Sequence, residues 1–250
     1  AHRAIPLPDA MTFSEAAGFP IAYGTSHLAL THTARLRPGA TLFVTGAAGS
    51  IGSRLLRQVL DLDPALVIGV DWWENGMFFL GEDLKDYDRL RLHIGDIRND
   101  KAFATILQQY RPDVVFHAAA FKHVPLMQSN PLEAVSNNIG GTLTVMRQSI
   151  AAGVANVVYV STDKAVNPVN VMGATKRIGE MLMECLAVNS ATRFNAVRFG
   201  NVIQSNGSVM QIFRNQIASR KPLTVTYPEV TRFFMTVDEA SQLVIHSAFV

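Results

Sequence analysis

The amino-acid sequence predicts an α/β fold that is built on a doubly wound parallel sheet. Short apolar runs rich in β-branched residues recur from residue 41 onward, and such runs are typical of strands that are buried on both faces. Segments with helical periodicity separate these runs. Because strands and helices alternate, we expect right-handed βαβ units. The chain has 250 residues, of which 48% are hydrophobic, and this suffices for one such domain with a smaller appended region.

A glycine-rich turn after the first predicted strand indicates a dinucleotide site. The apolar run 42–44 leads into three glycines, and a helix is predicted to begin directly after them. The first glycine permits the tight turn, the second lets a pyrophosphate approach the backbone, and the third lets the helix pack on the strand. The helix N-terminus offers free N–H groups to the phosphates. A plain tight turn is the alternative. The predicted contacts are Gly46, Ala48, Gly49, Ser50, Ile51 and Gly52.

The remaining elements are predicted in chain order. Strands are expected at residues 66–70, 114–117, 157–160 and 195–199, with a weaker candidate at 90–94. Helices are expected at about 100–110, 131–152 and 173–189. Beyond Gly200 the pattern changes to a loop, a helix near 208–219, short strands around 223–234 and a helix from Asp238. We therefore expect a leader segment at 1–40, a nucleotide-binding domain at 41–200 and a partial, truncated substrate-binding region at 201–250.

Several residues at the ends of the predicted strands are candidates for binding the adenosine half of a dinucleotide. Asp71 ends the second strand, where a carboxylate can accept both ribose hydroxyls and so favour NAD over NADP. A solvated loop aspartate is the alternative for this residue. Asp96 and Ile97 follow the third strand and face the expected position of the adenine. The small residues Ala118, Ala119 and Ala120 follow the fourth strand and would let a cofactor lie against the backbone.

Composition and charge exclude several classes of function. The net charge of +2 gives no argument for a nucleic-acid partner. The single cysteine, Cys185, excludes an intrachain disulfide and a multi-cysteine metal site, and we expect it to pack on a helix as a small apolar side chain. His117 and His123 lack carboxylates at ligand spacing, so we expect packing roles and no metal. Without a visible signal peptide or apolar span, a cytoplasmic location is expected.

The stretch from Ser161 to Lys176 is the strongest candidate for catalysis. Thr162, Asp163 and Lys164 leave the carboxyl end of a predicted strand, which is where open α/β sheets bind their ligands. Met172 and Lys176 are one helical turn apart on the following helix, so both can point towards one pocket. The alternative is that Asp163 and Lys164 form only a surface ion pair.

These motifs resemble the short-chain dehydrogenase/reductase superfamily, whose signature is a Ser or Thr followed by Tyr-x-x-x-Lys. Met172 stands here where tyrosine is usual. Further matches to the extended branch lie at residues 46–52, 118–120, 138–142 and 198–201. Within that branch the chain closely resembles nucleotide-sugar 4,6-dehydratases of bacterial polysaccharide biosynthesis, a subgroup of which carries methionine in place of tyrosine. The matching segments are 111–120, 122–127, 161–176, 198–202 and 231–236.

This resemblance implies a Rossmann-like fold and a three-step reaction on a UDP-N-acetylhexosamine, UDP-GlcNAc in particular. NAD or NADP takes hydride from sugar C4, water leaves across C5 and C6, and hydride returns at C6. The family match makes Asp163 the acid for the C6 hydroxyl and Lys164 the base for the C5 proton. It further implies that Lys176 holds the nicotinamide ribose and that Thr162 hydrogen-bonds the sugar. A thioether has no titratable proton, so Met172 cannot be the C4 base.

The resemblance also assigns further contacts and an assembly state. It implies that Lys122 and Asn138 bind the cofactor, and that the chain forms a homo-oligomer. The implied contacts to the UDP-sugar substrate are Lys122, His123, Arg198, Asn201 and Arg232.

The leader segment does not resemble the same family. Residues 15–17, 23–25 and 37–39 resemble the connector that precedes the nucleotide-binding domain in medium-chain dehydrogenases of the quinone-oxidoreductase type. A chimera with its junction at the glycine turn would explain this, and an ordinary amphipathic leader helix is the alternative. Three functions therefore remain open: the dehydratase, a zinc-free quinone reductase supported only by residues 1–52, and a non-catalytic nucleotide-binding scaffold.

Overall fold

The computed structural model describes residues 39–203, 207, 209–225, 229 and 231–249. The predictions about the leader segment lie outside these residues, apart from its last two positions. A parallel sheet of six strands forms the centre, in the order β3-β2-β1-β4-β5-β6. The strands are β1 (Thr41–Thr45), β2 (Leu66–Asp71), β3 (Leu90–Ile94), β4 (Val114–His117), β5 (Asn156–Thr162) and β6 (Arg193–Phe199). The predicted doubly wound α/β fold is confirmed.

Helices connect the strands and cover both faces of the sheet. They are α1 (Ser50–Leu60), α2 (Glu74–Asp83), α3 (Asp100–Tyr110), α4 (Val124–Ser129), α5 (Pro131–Ala134), α6 (Thr142–Ala151), α7 (Val171–Ala187), α8 (Val209–Ala218) and α9 (Val237–Ser247). A π-helical segment, Val135–Gly141, joins α5 to α6, and a 3₁₀ turn, Asp163–Ala165, follows β5. A separate two-stranded parallel ribbon pairs β7 (Asn201–Val202) with β8 (Phe234–Met235).

Two hydrophobic layers hold the sheet between the helices. Leu42 and Val44 of β1 pack in the layer that includes side chains of α1 and α9, whereas Phe43 packs on the other face with Phe103 of α3. This alternation follows from the two-residue period of a strand. All three β1 side chains are fully buried, so the first strand and its glycine turn are held rigidly from both sides.

The structure differs from the sequence-based expectation in two helical regions. Helix α2 was not expected, because exposed Phe78 and Phe79 interrupt its apolar face and only Met77 and Leu80 are buried. The single helix expected at 131–152 is divided by the π-helical segment. Such segments frequently occur at functional sites.

Two smaller expectations are wrong. Cys185 does lie on a helix, but it is exposed rather than packed as an apolar side chain. Residues 223–225, within the range expected to contain short strands, form no strand; the described strand of that region is β8, which pairs with β7. Within the described residues, no helix is both long and apolar enough to cross a membrane.

Candidate functional site

An open groove runs along the carboxyl edge of the sheet, where β1, β2 and β4 end. Seven predicted cofactor contacts lie in its wall, together with five residues that the sequence analysis did not select. The groove is lined by Gly46, Gly49, Val70, Asp71, Trp72, Gly95, Ile97, Ala118, Ala119, Ala120, Phe121 and Asn137. The position is the one at which open α/β sheets bind ligands, at the point where the strand order reverses.

The glycine turn has the close backbone approaches that its sequence predicts. Gly46 has φ +69°, and a Cβ atom there would lie 2.6 Å from the backbone nitrogen of Ala119. A Cβ atom on Gly52 would lie 2.0 Å from the carbonyl oxygen of Gly46. Helix α1 begins at Ser50, and its N-cap, Gly49, provides no side-chain cap. The N-terminus of a helix favours a negatively charged group such as a phosphate. Backbone alone therefore forms this cradle.

Asp71 connects the end of β2 to the glycine turn. Its carboxylate accepts hydrogen bonds from the backbone N–H of Ala48 at 3.0 Å and of Trp73 at 3.0 Å. These contacts fix the carboxylate in the groove wall next to the exposed side chain of Trp72. A carboxylate at this position can accept hydrogen bonds from the ribose hydroxyls of NAD, and it would repel the 2′-phosphate of NADP.

The carboxylate of Asp96 is paired with a neighbouring arginine. Arg98 donates from Nε at 2.9 Å and from Nη2 at 2.6 Å to Asp96 Oδ2, and it also contacts Glu133 at 3.2 Å. Hydrogen bonding from Arg98 holds the pKa of Asp96 below its ordinary value, although partial burial acts in the opposite direction. Ile97 lies in the groove wall, whereas the Asp96 side chain is paired beside it.

Asn138 supports the groove but does not face it. Its side chain is fully buried, and its carbonyl oxygen accepts from the N–H of Phe121 at 2.8 Å and from Asn137 at 3.0 Å. Its amide donates to the carbonyl of Phe121 at 2.9 Å and to Thr175 at 3.1 Å. All of its hydrogen-bonding capacity is therefore used within the protein. The expectation of a direct cofactor contact is corrected accordingly: Asn138 positions the Ala120–Phe121 backbone against α7.

The predicted catalytic run forms a connected cluster at the end of β5. Lys164 Nζ lies 2.9 Å from Asp163 Oδ1 and 3.1 Å from Asn201 Oδ1, and Thr162 donates to Asp163 at 3.0 Å. Partial burial acts to raise the pKa of Asp163, but hydrogen bonds from Lys164 and Thr162 outweigh it and lower that pKa. Both charged side chains are half-buried, so the pair is not a fully solvated surface pair.

Lys176 lies behind this cluster, beside β5. Its side chain is buried, and Nζ donates to the carbonyl of Val160 at 2.8 Å and lies 4.6 Å from the ring centroid of Tyr159. Burial lowers the pKa of Lys176 to about 7, while the charge of Glu180 acts to raise it. Such a lysine changes its charge close to neutral pH, which is the range in which a proton-transfer group operates.

Met172 does not belong to the reacting cluster. Its side chain is buried among apolar residues that include Met127 and Ala134, beneath α4. The expectation that Met172 and Lys176 point towards one pocket is wrong, because Met172 packs into this cluster and Lys176 turns to β5. The catalytic assignment of Met172 is corrected to a packing role.

The expected substrate contacts lie in different settings. Lys122 and His123 are exposed, and burial of part of each side chain lowers both pKa values. Arg232 is exposed and donates to the carbonyl of Thr231 at 2.9 Å. Arg198 is engaged by Glu180, to which it donates from Nε at 2.7 Å and from Nη2 at 2.5 Å. Asn201 alone among the five touches the catalytic cluster directly.

His117 has the packing role that the sequence suggests. It is fully buried and hydrogen-bonds to Thr45 at 2.7 Å and Thr142 at 2.9 Å, which ties β1 and β4 to α6. Burial, with a smaller contribution from the charge of Lys176, lowers the pKa of His117 to about 3. Within the part of the chain that the structure describes, no group of three or more His, Cys, Asp or Glu side chains is placed to hold a metal ion.

Some residues of the site were not found from sequence. Trp72 and Phe121 stand directly beside selected residues, Asp71 and Ala120, and their aromatic character at a strand end was the available signal. Asn137 is brought to the groove by the π-helical segment, which no local pattern indicates. Glu180 follows Lys176 by four residues, which is one helical turn, and that spacing could have identified it.

The chain is similar to proteins named for polysaccharide biosynthesis and for the epimerisation of a nucleotide sugar. The capsular polysaccharide biosynthesis protein CapD of Staphylococcus aureus is 49% identical over 212 residues, which cover 83% of this chain and 35% of that protein. A protein of Rickettsia bellii named UDP-glucose 4-epimerase is 38% identical over 217 residues, covering 83% of this chain and 62% of that protein. The chain thus spans about a third of CapD and under two thirds of the second relative.

Solved structures share the fold. Pen from Bacillus thuringiensis has a TM-score of 0.80 at 38% identity, over 84% of this chain and 65% of that chain. DesIV from Streptomyces venezuelae, a dTDP-glucose 4,6-dehydratase solved with NAD and TYD bound, has a TM-score of 0.72 at 25% identity, over 79% of this chain and 68% of that chain. A family model described as polysaccharide biosynthesis protein matches residues 42–250. The chain belongs to the polysaccharide biosynthesis protein family.

Proposed function

We propose that this chain is the catalytic part of a NAD-dependent nucleotide-sugar 4,6-dehydratase that acts on a UDP-N-acetylhexosamine, UDP-GlcNAc in particular. The observation that carries the proposal is the Asp163–Lys164 pair, half-buried at the end of β5 and held by Asn201. Elimination of water needs one group that accepts a proton and one that gives a proton. Hydride transfer at a single carbon does not need such a pair.

A nicotinamide dinucleotide fits the groove. The Gly46 turn and the α1 N-terminus can receive the pyrophosphate, and Asp71 can accept the ribose hydroxyls. The carboxylate of Asp71 favours NAD over NADP, and no cationic side chain is found among the described residues of the groove wall. When bound, the dinucleotide supplies the acceptor and later the donor of the hydride. DesIV, a related dehydratase with NAD bound, supports this choice.

The Asp163–Lys164 pair can carry the elimination as one unit. With a depressed pKa at Asp163, the resting pair is a carboxylate and an ammonium. Transfer of one proton across the 2.9 Å contact gives a neutral amine at Lys164 and a carboxylic acid at Asp163. The amine then takes the C5 proton while the acid protonates the departing C6 hydroxyl, so water leaves. These two transfers restore the resting ammonium and carboxylate, and no proton is left over.

Removal of the C4 hydroxyl proton requires another base, because Met172 has no titratable group and is packed in the apolar cluster. We assign this step to Lys176, because its pKa near 7 lets it exchange a proton at neutral pH. The proposal therefore assigns two lysines to two different steps: Lys176 to the oxidation at C4 and Lys164 to the proton at C5.

The experiment is incubation of the protein with NAD and UDP-GlcNAc in D₂O, followed by NMR and mass spectrometry of the sugar. The dehydratase is supported by a 4-keto-6-deoxy product that carries deuterium at C5. Lys164→Ala should form no such product, and Lys101→Ala, a change at an exposed lysine on α3, serves as the control. Recovery of unlabelled UDP-GlcNAc from the unchanged protein, with NAD shown to be bound, would contradict the proposal and favour a non-catalytic scaffold.

A 4-epimerase is the second candidate, because the Rickettsia bellii relative bears that name. An epimerase would return the hydride to C4, and the C5 hydrogen would not exchange with solvent. The same experiment separates the two, since the epimerase product would be UDP-GalNAc without deuterium at C5.

A further inference from the structure

Glu180 is a buried charge beside the site, and its carboxylate accepts four hydrogen bonds. It lies on α7 and its side chain is 3% exposed. Its carboxylate accepts from Ser161 Oγ at 2.6 Å, from Arg198 Nε at 2.7 Å and Nη2 at 2.5 Å, and from Arg177 Nη1 at 3.0 Å. A buried carboxylate is costly unless it is paired in this way. Burial acts to raise the pKa of Glu180, but bonds from Arg198, Ser161 and Arg177 lower it to about 2, so the group is charged at neutral pH.

Two of the residues that donate hydrogen bonds to Glu180 lie close in the chain to the reacting groups. Ser161 is the residue before Thr162 at the end of β5, and the Asp163–Lys164 pair follows. Arg198 is next to the last residue of β6, three positions before Asn201. Ser161 and Arg198 are also register partners in the sheet. Glu180 thus joins the two strand ends whose following segments meet at the Lys164–Asn201 hydrogen bond.

The third connection is to Lys176, which lies four residues before Glu180 on the same face of α7. Both side chains are buried, so their charges interact with little screening. Lys176 is faced by Tyr159 from β5 and by His117 from β4, and both are neutral at pH 7. Arg198 of β6 and Arg177 of α7 are bound to Glu180. Glu180 is therefore the negative charge that favours the ammonium form of Lys176.

We propose that Glu180 is the positioning residue of this site, which locks the ends of β5 and β6 so that Lys164 meets Asn201, and which supplies the counter-charge of buried Lys176. The proposed function supplies only the chemical roles of Lys164 and Lys176. The contacts of Glu180 and their effect on the two lysines are independent of any turnover, so the inference can fail or succeed separately from the dehydratase.

The experiment follows the two lysines by NMR in protein labelled with ¹³C at lysine Cε, without substrate. Lys176→Arg and Lys164→Arg assign the two resonances by their loss. Glu180→Gln keeps the shape of the side chain and removes its charge. We expect the titration midpoint of Lys176 to fall by about 1 pH unit or more, which is the effect of losing an opposite charge at close range. Glu184→Gln, an exposed carboxylate one turn further along α7, is the matched control and should leave the midpoint unchanged.

Ser161→Ala tests the lock separately, because it removes one hydrogen bond to Glu180 and leaves the charge in place. We expect the Lys164 resonance to shift in Ser161→Ala, with the Lys176 midpoint changed by less than in Glu180→Gln. Circular dichroism confirms that each variant is folded. A Lys176 midpoint in folded Glu180→Gln equal to that of the unchanged protein would overturn the counter-charge, and an unshifted Lys164 resonance in Ser161→Ala would overturn the lock. If Glu180→Gln does not fold, Ser161→Ala still decides the lock. Glu180→Asp, which draws the charge back by one methylene group, then decides the counter-charge: a lowered Lys176 midpoint supports it, and a midpoint equal to that of the unchanged protein overturns it.

Discussion

Replacing Gly46 by alanine should damage both the fold and the cofactor site, and the structure offers a matched control at Gly153. Both glycines have nearly the same backbone conformation, with φ +69° at Gly46 and φ +73° at Gly153. A Cβ atom on Gly153 would have no heavy atom within 4 Å, whereas on Gly46 it would lie 2.6–2.8 Å from backbone atoms of Ala118 and Ala119. The comparison therefore separates the cost of the conformation from the cost of the clash.

The magnitudes follow from these two contributions. A left-handed conformation costs an L-residue roughly 1–2 kcal/mol, and both variants carry this cost. The clash at Gly46 involves backbone, which moves less easily than a side chain, and overpacking of this kind costs about 1–3 kcal/mol more. We expect Gly153→Ala to lower the free energy of unfolding by about 1–2 kcal/mol and Gly46→Ala by about 2–5 kcal/mol. For a domain of this size each kcal/mol corresponds to about 2–4 °C in Tm.

The assay is urea unfolding for stability, followed by calorimetric titration of the folded variants with NAD. Gly46→Ala should bind NAD at least tenfold more weakly than the unchanged protein, because the displaced turn no longer fits the pyrophosphate. Gly153 lies before the start of β5, at the amino ends of the strands and away from the groove. Gly153→Ala should therefore bind NAD normally. Equal losses of stability in the two variants would refute the clash, and unchanged NAD affinity in folded Gly46→Ala would refute the cradle.

Three further predictions address other parts of the molecule. Lys164→Ala should lower the rate of C5 exchange in D₂O by about 10²–10⁴-fold, and exchange at the original rate would assign that proton to another base. Of the chain's two tryptophans, Trp72 lines the groove and Trp73 packs over Gly76, so Trp72→Phe should abolish the fluorescence change on NAD binding and Trp73→Phe should retain it. The pKa of His117 is about 3 in the folded chain, so as the pH falls below about 6.5 this histidine takes up a proton in the unfolded chain but not in the folded one. The free energy of unfolding should therefore fall by about 2 kcal/mol between pH 7 and pH 5. In urea unfolding of His117→Gln, the free energy of unfolding should depend less on pH.

The sequence was sufficient for the sheet because its signals are local and mutually consistent. Strands such as β4 and β5 are continuous apolar runs buried on both faces, and the glycine turn has a spacing that few other structures require. Helix α2 was not predicted, because only two of its residues are buried and its exposed pair of phenylalanines does not fit the apolar pattern of a helix. Burial of a face is decided by its neighbours, which a local window does not contain.

The candidate site was predictable from sequence where its reactive residues are neighbours in the chain. Asp163 and Lys164 are adjacent in sequence, and their position after a strand was enough to select them. The orientation of Met172 and Lys176 was not predictable, because equal helical spacing allows both a groove-facing and a core-facing arrangement. The packing of α4 on α7 decided that Met172 faces the core. The pairing of Arg198 with Glu180 joins residues 18 positions apart and depends on the contact between α7 and β6.

The π-helical segment Val135–Gly141 has a consequence for how this chain tolerates changes in length. A π-helix holds one more residue than an α-helix over the same rise, so deletion of a single residue there could produce one regular helix from Pro131 to Ala151. Such a helix would be intrinsically more favourable. Because the extra residue is taken up within the same rise, the residues on either side would keep nearly the same relative orientation, and Thr142 would still face His117. The shorter chain would thus keep the alignment of α6 with the sheet and lose the geometry that brings Asn137 to the groove wall. Deletion of one residue inside α6 itself, by contrast, would rotate every later residue of that helix by about 100°, so we expect a one-residue deletion to be tolerated better in the π-helical segment than in α6.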